Sequence, residues 1–211
     1  MDQYYGEILV NVARKVIEAW VKTGRRYRPR SCPAEFRQRR GVFTTLYTYP
    51  GKNLRGCIGY PEPIMPLIDA LVESSVSACG DPRFPSLTSN ELSKVTVEVS
   101  VLTKPELIRV SDPSEYPSKI KLGEDGLIIE KGMSRGLLLP QVALEWEWNQ
   151  EMFLGNLCVK ASLSPNEWRL KGVKIYRFQS DIFAEELPSG PVKKIERKVT
   201  KEQGMPDSSQ S

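Results

Sequence analysis

The chain has 211 residues, 40% of them hydrophobic and 27% charged, and carries a formal net charge of +4. That balance fits one folded unit, or two small lobes on a shared core, with enough length to bury most apolar surface unaided. No apolar run reaches the ~18 residues of a spanning helix, and the absence of histidine removes every mechanism that needs an imidazole base.

Residues 4–23 read as an amphipathic helix, with Ile8, Leu9, Val12, Ala13, Val16, Ile17 and Trp20 at helical spacing. Gly24 is placed to end it in a left-handed conformation. A basic stretch follows, in which Lys22, Arg25, Arg26, Arg28, Arg30, Arg37, Arg39 and Arg40 face one acid, Glu35. Residues 42–49 form a strand, Pro50-Gly51-Lys52-Asn53 a turn, and 54–60 the returning strand of a hairpin. Pro61, Pro63 and Pro66 make the next segment irregular, and a helix covers 67–79. The loop 80–87 is stiffened by two prolines, and a short helix starts near Ser89 or Asn90. Residues 95–102 alternate apolar and polar, the pattern of a half-buried strand. A loop and a short helix cover about 105–121. Strands at 126–130 and 136–139 make a second hairpin, Pro140 opens a helical stretch, and Asn149 caps a helix carrying Phe153, Leu154 and Leu157. Residues 173–183 give the last strand. Residues 188–211 lack aromatics and read as a mobile tail. Strands and helices mix without regular βα alternation, which predicts α+β with a mainly antiparallel sheet and flanking helices.

The beginning Met-Asp-Gln-Tyr-Tyr-Gly-Glu has none of the marks of a secretory signal, so a cytoplasmic protein is expected. Cys32, Cys57, Cys79 and Cys158 are widely spaced, with no Cys-x-x-Cys pair. Free thiols are therefore expected, with no zinc site, no other metal and no cofactor implied.

The run Leu54-Arg55-Gly56-Cys57-Ile58-Gly59 resembles the hallmark of the AMMECR family. The similarity extends through Gly41-Val42-Phe43-Thr44-Thr45-Leu46, Asp81-Pro82-Arg83-Phe84-Pro85, Glu98-Val99-Ser100-Val101-Leu102 and Gly126-Leu127-Ile128-Ile129. It continues in Leu139-Pro140-Gln141-Val142, Lys160-Ala161-Ser162-Leu163 and Trp168, and so covers about 4–187. Ser162 departs from the pattern, since relatives often carry glycine there. The resemblance implies two lobes with a cleft between them. It brings no settled activity, but relatives fused to or encoded beside Memo-like and radical-SAM proteins imply such partners.

Strand alternation puts Arg55, Cys57 and Gly59 on one face and Leu54, Gly56 and Ile58 on the other. A guanidinium roughly 7 Å from Cys57, two residues along a strand, would stabilise its thiolate. Gly56 and Gly59 would let a ligand approach the backbone. The alternative is an inert, packed cysteine among glycines that mark a bulge or tight packing. In the Asp81-Pro82-Arg83-Phe84-Pro85 loop, Arg83 can clamp an anion with Asp81 orienting it, or the two can simply hold a turn. Glu98 and Glu145 are candidate general bases in place of histidine, or solvated carboxylates.

The leading reading is a pocket centred on Arg55, Cys57 and Arg83 that takes a small anionic ligand or a partner's side chain, with thiol chemistry at Cys57. The second is a non-catalytic module for a Memo-like or radical-SAM partner. The third is nucleic-acid association through residues 22–40, with Tyr27 and Phe36 available to stack, although no reader motif accompanies them.

Overall fold

Asp2 starts the first helix by accepting the Tyr5 amide, and α1 (Gln3–Thr23) ends where Gly24, at φ +68°, returns its amide to the Trp20 carbonyl. In this computed structural model, which describes residues 1–195, the apolar stripe of α1 lies on a five-stranded antiparallel sheet. Its strands are β1 (Val42–Thr48), β2 (Leu54–Tyr60), β3 (Val95–Leu102), β8 (Ser180–Glu185) and β9 (Val192–Ile195), in the order β2-β1-β3-β8-β9. Helix α2 (Leu67–Cys79) covers β1 and β2 beside α1. Leu9, Val16, Ile17, Leu46, Leu71, Val97 and Phe183 are sealed between these helices and one face of the sheet.

The other face of the sheet looks toward a second, smaller layer. Four strands, β4 (Glu106–Leu107), β5 (Gly126–Lys131), β6 (Ser134–Leu138) and β7 (Lys174–Phe178), make an antiparallel sheet in the order β4-β7-β5-β6. Helices α3 (Pro140–Glu145) and α4 (Gln150–Lys160) belong to this lobe, and Asn149 caps α4 by accepting the Met152 amide. Phe153, Leu154, Leu157, Trp168 and Ile175 form its core. Ser162 closes α4 at φ +59°, with its amide on the Val159 carbonyl and the Leu163 amide on Cys158. This is a left-handed cap, the setting that favours the glycine expected there.

Most predicted elements stand, with two corrections. Residues 173–183 are not one strand. The run breaks at Gln179, with β7 in the smaller sheet and β8 in the larger. Thr103 lies beside Gln179 where β3 leaves for β4, and each of the two residues gives its amide to the other, to the Gln179 carbonyl and the Thr103 hydroxyl (both 2.8 Å). The smaller lobe is thus an insertion between adjacent strands, held by two crossings bonded to each other. Residues 188–195 are not a tail either. Val192–Ile195 pair with β8, and the Gln3 side chain donates to the Val192 carbonyl and accepts the Lys194 amide. A short, lysine-rich edge strand carries little apolar signal. The rest of the expected tail, 196–211, lies outside the described residues.

One buried group had no sequence signal. Arg14, on the inner face of α1, pairs with Glu185 and donates to the Leu92 and Val95 carbonyls, while Glu185 accepts the Val97 amide. Among the described residues no helix is long and apolar enough to cross a membrane.

Candidate functional site

The hairpin strand β2 decides which side chains meet. Gly56 stands opposite Leu46, yet Leu54 stands opposite Tyr47, so Arg55 is an extra residue in a β-bulge. The bulge breaks the alternation on which the Arg55–Cys57 pairing rested. Leu54 and Cys57 face the smaller lobe, while Arg55 turns to Glu91 in the short helix Ser89–Lys94. Its Nε and Nη2 donate to the two Glu91 oxygens at 2.7 and 3.2 Å, and its charge is felt at Cys79 of α2. Glu91 also accepts the amide and hydroxyl of Thr88. The Arg55 contact, first among these, holds the Glu91 carboxyl down at about 2.

The glycines are occupied by packing. A Cβ on Gly56 would sit 2.4 Å from the Ala78 carbonyl oxygen of α2. A Cβ on Gly59 would run into the Phe43 ring, which lies across it. Neither position is open to a ligand from the side its missing side chain leaves bare.

Asp81 ties the next loop to β2. It accepts the Cys57 amide at 2.8 Å and the Arg83 amide at 3.0 Å, and it receives Nε and Nη2 of Arg83 at 3.0 and 2.7 Å. Arg83, ahead of the two amides, holds this buried carboxyl well below the usual carboxylate range. Arg83 Nη2 also reaches the Cys57 carbonyl, and the Arg83 side chain stays 57% exposed. The guanidinium at the site is therefore Arg83, with most of its charge already answered.

These residues border a cleft of about 720 Å³ between the two lobes. Its floor is the outer face of β1, β2 and β3. Cys57 pairs across to Thr45, and Thr45 pairs across to Glu98, so thiol, hydroxyl and carboxylate form one row over three strands. The Thr45 hydroxyl donates to Cys57 Sγ at 3.2 Å. Phe43 and Leu54 flank the row, and Leu139, Leu144 and Glu145 close the far side from α3 and the residue before it. Among the four cysteines, Cys57 is half-buried at this cleft, and burial pushes its thiol up despite the Thr45 hydroxyl and Arg83. The stabilised thiolate expected beside Arg55 is thus corrected twice: the arginine lies elsewhere, and desolvation outweighs the cation that is present. Cys79 and Cys158 are buried, and burial drives Cys79 up to about 12.

The structure brings Cys57, Arg83, Glu98 and Glu145 to one cleft, with Asp81 behind it, and leaves out Arg55. Thr45 and Glu91 were missed. Counting back across the predicted hairpin from Cys57 gives Leu46, and the irregular register at Arg55 puts Thr45 there instead, whereas Glu91 could have been found from the Thr-x-x-Glu capping pattern at Thr88. In the basic stretch, Lys22 pairs with Glu18, Arg26 with Glu73, and Arg28 with Asp69 and Glu73.

The family model for AMMECR1 matches residues 10–183, spanning both lobes and the cleft. The chain belongs to the AMMECR1 family. A protein of Methanocaldococcus jannaschii is 54% identical over 195 residues, which cover 92% of this chain and 96% of that relative. A protein of Thermococcus onnurineus is 50% identical over 195 residues, covering 90% and 95%. Among solved structures, the crystal structure of an uncharacterised protein from Pyrococcus horikoshii is similar at a TM-score of 0.76 and 47% identity, covering 92% of this chain and 98% of that one. The AMMECR1-family fold thus extends over the whole two-lobed unit.

Proposed function

We propose that this AMMECR1-family chain binds, in the cleft between its lobes, a small ligand with an apolar body and a hydrogen-bond-donating or cationic end. The observation that carries this reading is the row Cys57–Thr45–Glu98 on the cleft floor. Glu98 and Glu145 supply acceptors, and Phe43, Leu54, Leu139 and Leu144 supply apolar wall. A pocket of this size, mostly apolar with a few convergent polar groups, suits a small molecule. An anionic ligand has weaker support, because among the described residues Arg83 is the lone cation lining the cleft and it already serves Asp81. The Cys57 thiol is read as a contact to the ligand, since burial opposes its ionisation more than Thr45 and Arg83 favour it.

The test uses phenethylamine against phenylacetate, with iodoacetamide labelling of Cys57 as the readout. The amine is expected to slow labelling of Cys57, to lose that effect in Glu98→Gln, and to leave Cys32 unaffected. Protection by phenylacetate equal to that by the amine, or by neither, overturns the reading. Labelling of Cys57 faster than that of free glutathione at neutral pH would restore the catalytic thiol.

A second reading, a module that docks a protein such as a Memo-like or radical-SAM partner, is favoured by one feature. Leu144, on the cleft wall, is 58% exposed, and Trp146, two residues on, is 66% exposed and stacked on Trp148. Binding to such a partner that survives Leu144→Ser/Trp146→Ser would remove that support.

A further inference from the structure

A second hollow, of about 340 Å³, lies at the junction of the lobes away from Cys57. Its apolar lining comes from both sheets, with Leu102 at the end of β3, Ile128 on β5, Leu137 on β6 and Phe178 on β7. Its charged lining, among the described residues, has one sign: Arg39, Arg40 and Lys104 border it, and no carboxylate does.

The three cations are not spent elsewhere. Arg39 and Lys104 are exposed and make no ion pair among the described residues. Arg40 is half-buried and gives Nε to the Leu102 carbonyl at 2.9 Å, again without a carboxylate at ion-pair distance among the described residues. Burial pushes its pKa down, and the field of Asp181 opposes this only in part. Asp181 is itself engaged by the N-terminal ammonium and Lys194, and nearby Glu62 is engaged by Arg135. A partly desolvated guanidinium with two exposed cations beside it is under-compensated, and an anion brought to the rim would relieve all three.

We propose that this junction hollow binds a small amphiphilic anion, its apolar body between Leu102, Ile128 and Phe178 and its carboxylate on Arg39, Arg40 and Lys104. An amine would meet three like charges. A neutral apolar molecule would leave them uncompensated. The basic stretch of the sequence thereby acquires a role at its C-terminal end that does not involve nucleic acid. This site shares the Leu102 wall with the cleft but none of its three cations lines the cleft, so it does not rest on the cleft reading.

The probe is 2-naphthoate, titrated into the full chain by calorimetry, with 2-naphthamide as the neutral isostere and iodoacetamide labelling of Cys57 as a second readout. Naphthoate is expected to bind, and the amide to bind roughly tenfold more weakly or worse. Arg39→Gln/Lys104→Gln, which alters only exposed side chains, is expected to cost a similar factor, and Arg40→Gln more. Labelling of Cys57 should not change. Equal binding of acid and amide, undiminished binding to the exposed double variant, or no binding at millimolar naphthoate each overturns the proposal. Protection of Cys57 by naphthoate also overturns it, by putting the acid in the cleft.

Discussion

On the helix-covered face of the five-stranded sheet, Arg14 meets Glu185, Arg55 meets Glu91, and Cys79 is driven up to about 12. On the cleft face, Arg83, Glu98 and Cys57 border open volume. The residue types are the same, but their surroundings differ. Under the helices, both of these pairs are closed into networks that include backbone carbonyls or amides, as buried polar groups require. Across the cleft Arg83 is also answered, by Asp81 and the Cys57 carbonyl, but the side chains there stand beside open volume. A motif that spells Arg-Gly-Cys therefore straddles both regimes, with its arginine in the first and its cysteine in the second.

The sharpest way to break this contrast is to unpair the helix side. Arg14→Met leaves Glu185 buried and uncompensated, and is expected to cost about 3–5 kcal/mol in denaturant unfolding. Arg14→Met/Glu185→Leu should recover most of that, because no lone charge remains. A loss from Arg14→Met no greater than that from a surface substitution would show that this face is not closed.

Next comes Gly56→Ala. The added methyl meets the Ala78 carbonyl oxygen, a backbone atom that cannot swing aside. Overpacking of this kind is expected to cost about 1–3 kcal/mol. If Gly56 served ligand approach, the substitution would leave stability intact and reduce binding alone.

The smallest expected effect concerns pH. Glu91 is held down from 4.5 to about 2, mainly by Arg55. A carboxyl depressed in the folded state contributes stability above its unfolded pKa and loses it as the pH falls through the folded one. The advantage of wild type over Glu91→Gln should therefore be full above 4.5 and fade toward 2. Because Glu91 is about a third exposed, solvent screening keeps the difference small, below ~1 kcal/mol. Acid unfolding curves that stay parallel for the two proteins would remove the Arg55–Glu91 pair from the helix-side network.

Local signals in the sequence carried most elements. Periodicity marked α1, α2 and β3, and Asn149 and Gly24 marked helix ends. Relations between elements were harder to read. The bulge at Arg55 depends on how β2 registers against β1, which alternation along one strand does not encode. The split at Gln179 depends on Thr103, far away in the chain. Thus Cys57, Arg83, Glu98 and Glu145 were found individually from type and position, but which of them share a hollow depends on register and on the lobe inserted opposite. Burial, which reverses the expected effect on the Cys57 thiol, likewise has no local sequence mark.

The doubled crossing at Thr103 and Gln179 leaves the larger sheet unbroken. Leu102 and Ser180 stand directly opposite each other on neighbouring antiparallel strands. A tight two-residue reverse turn would join them as a hairpin and dispense with everything from 103 to 179. The larger sheet with its helices is thus continuous without the smaller lobe, which enters at what would otherwise be a loop tip, where chains tolerate insertions. Without that lobe the cleft would lose its far wall, and the strand face carrying Cys57, Thr45 and Glu98 would look out on water.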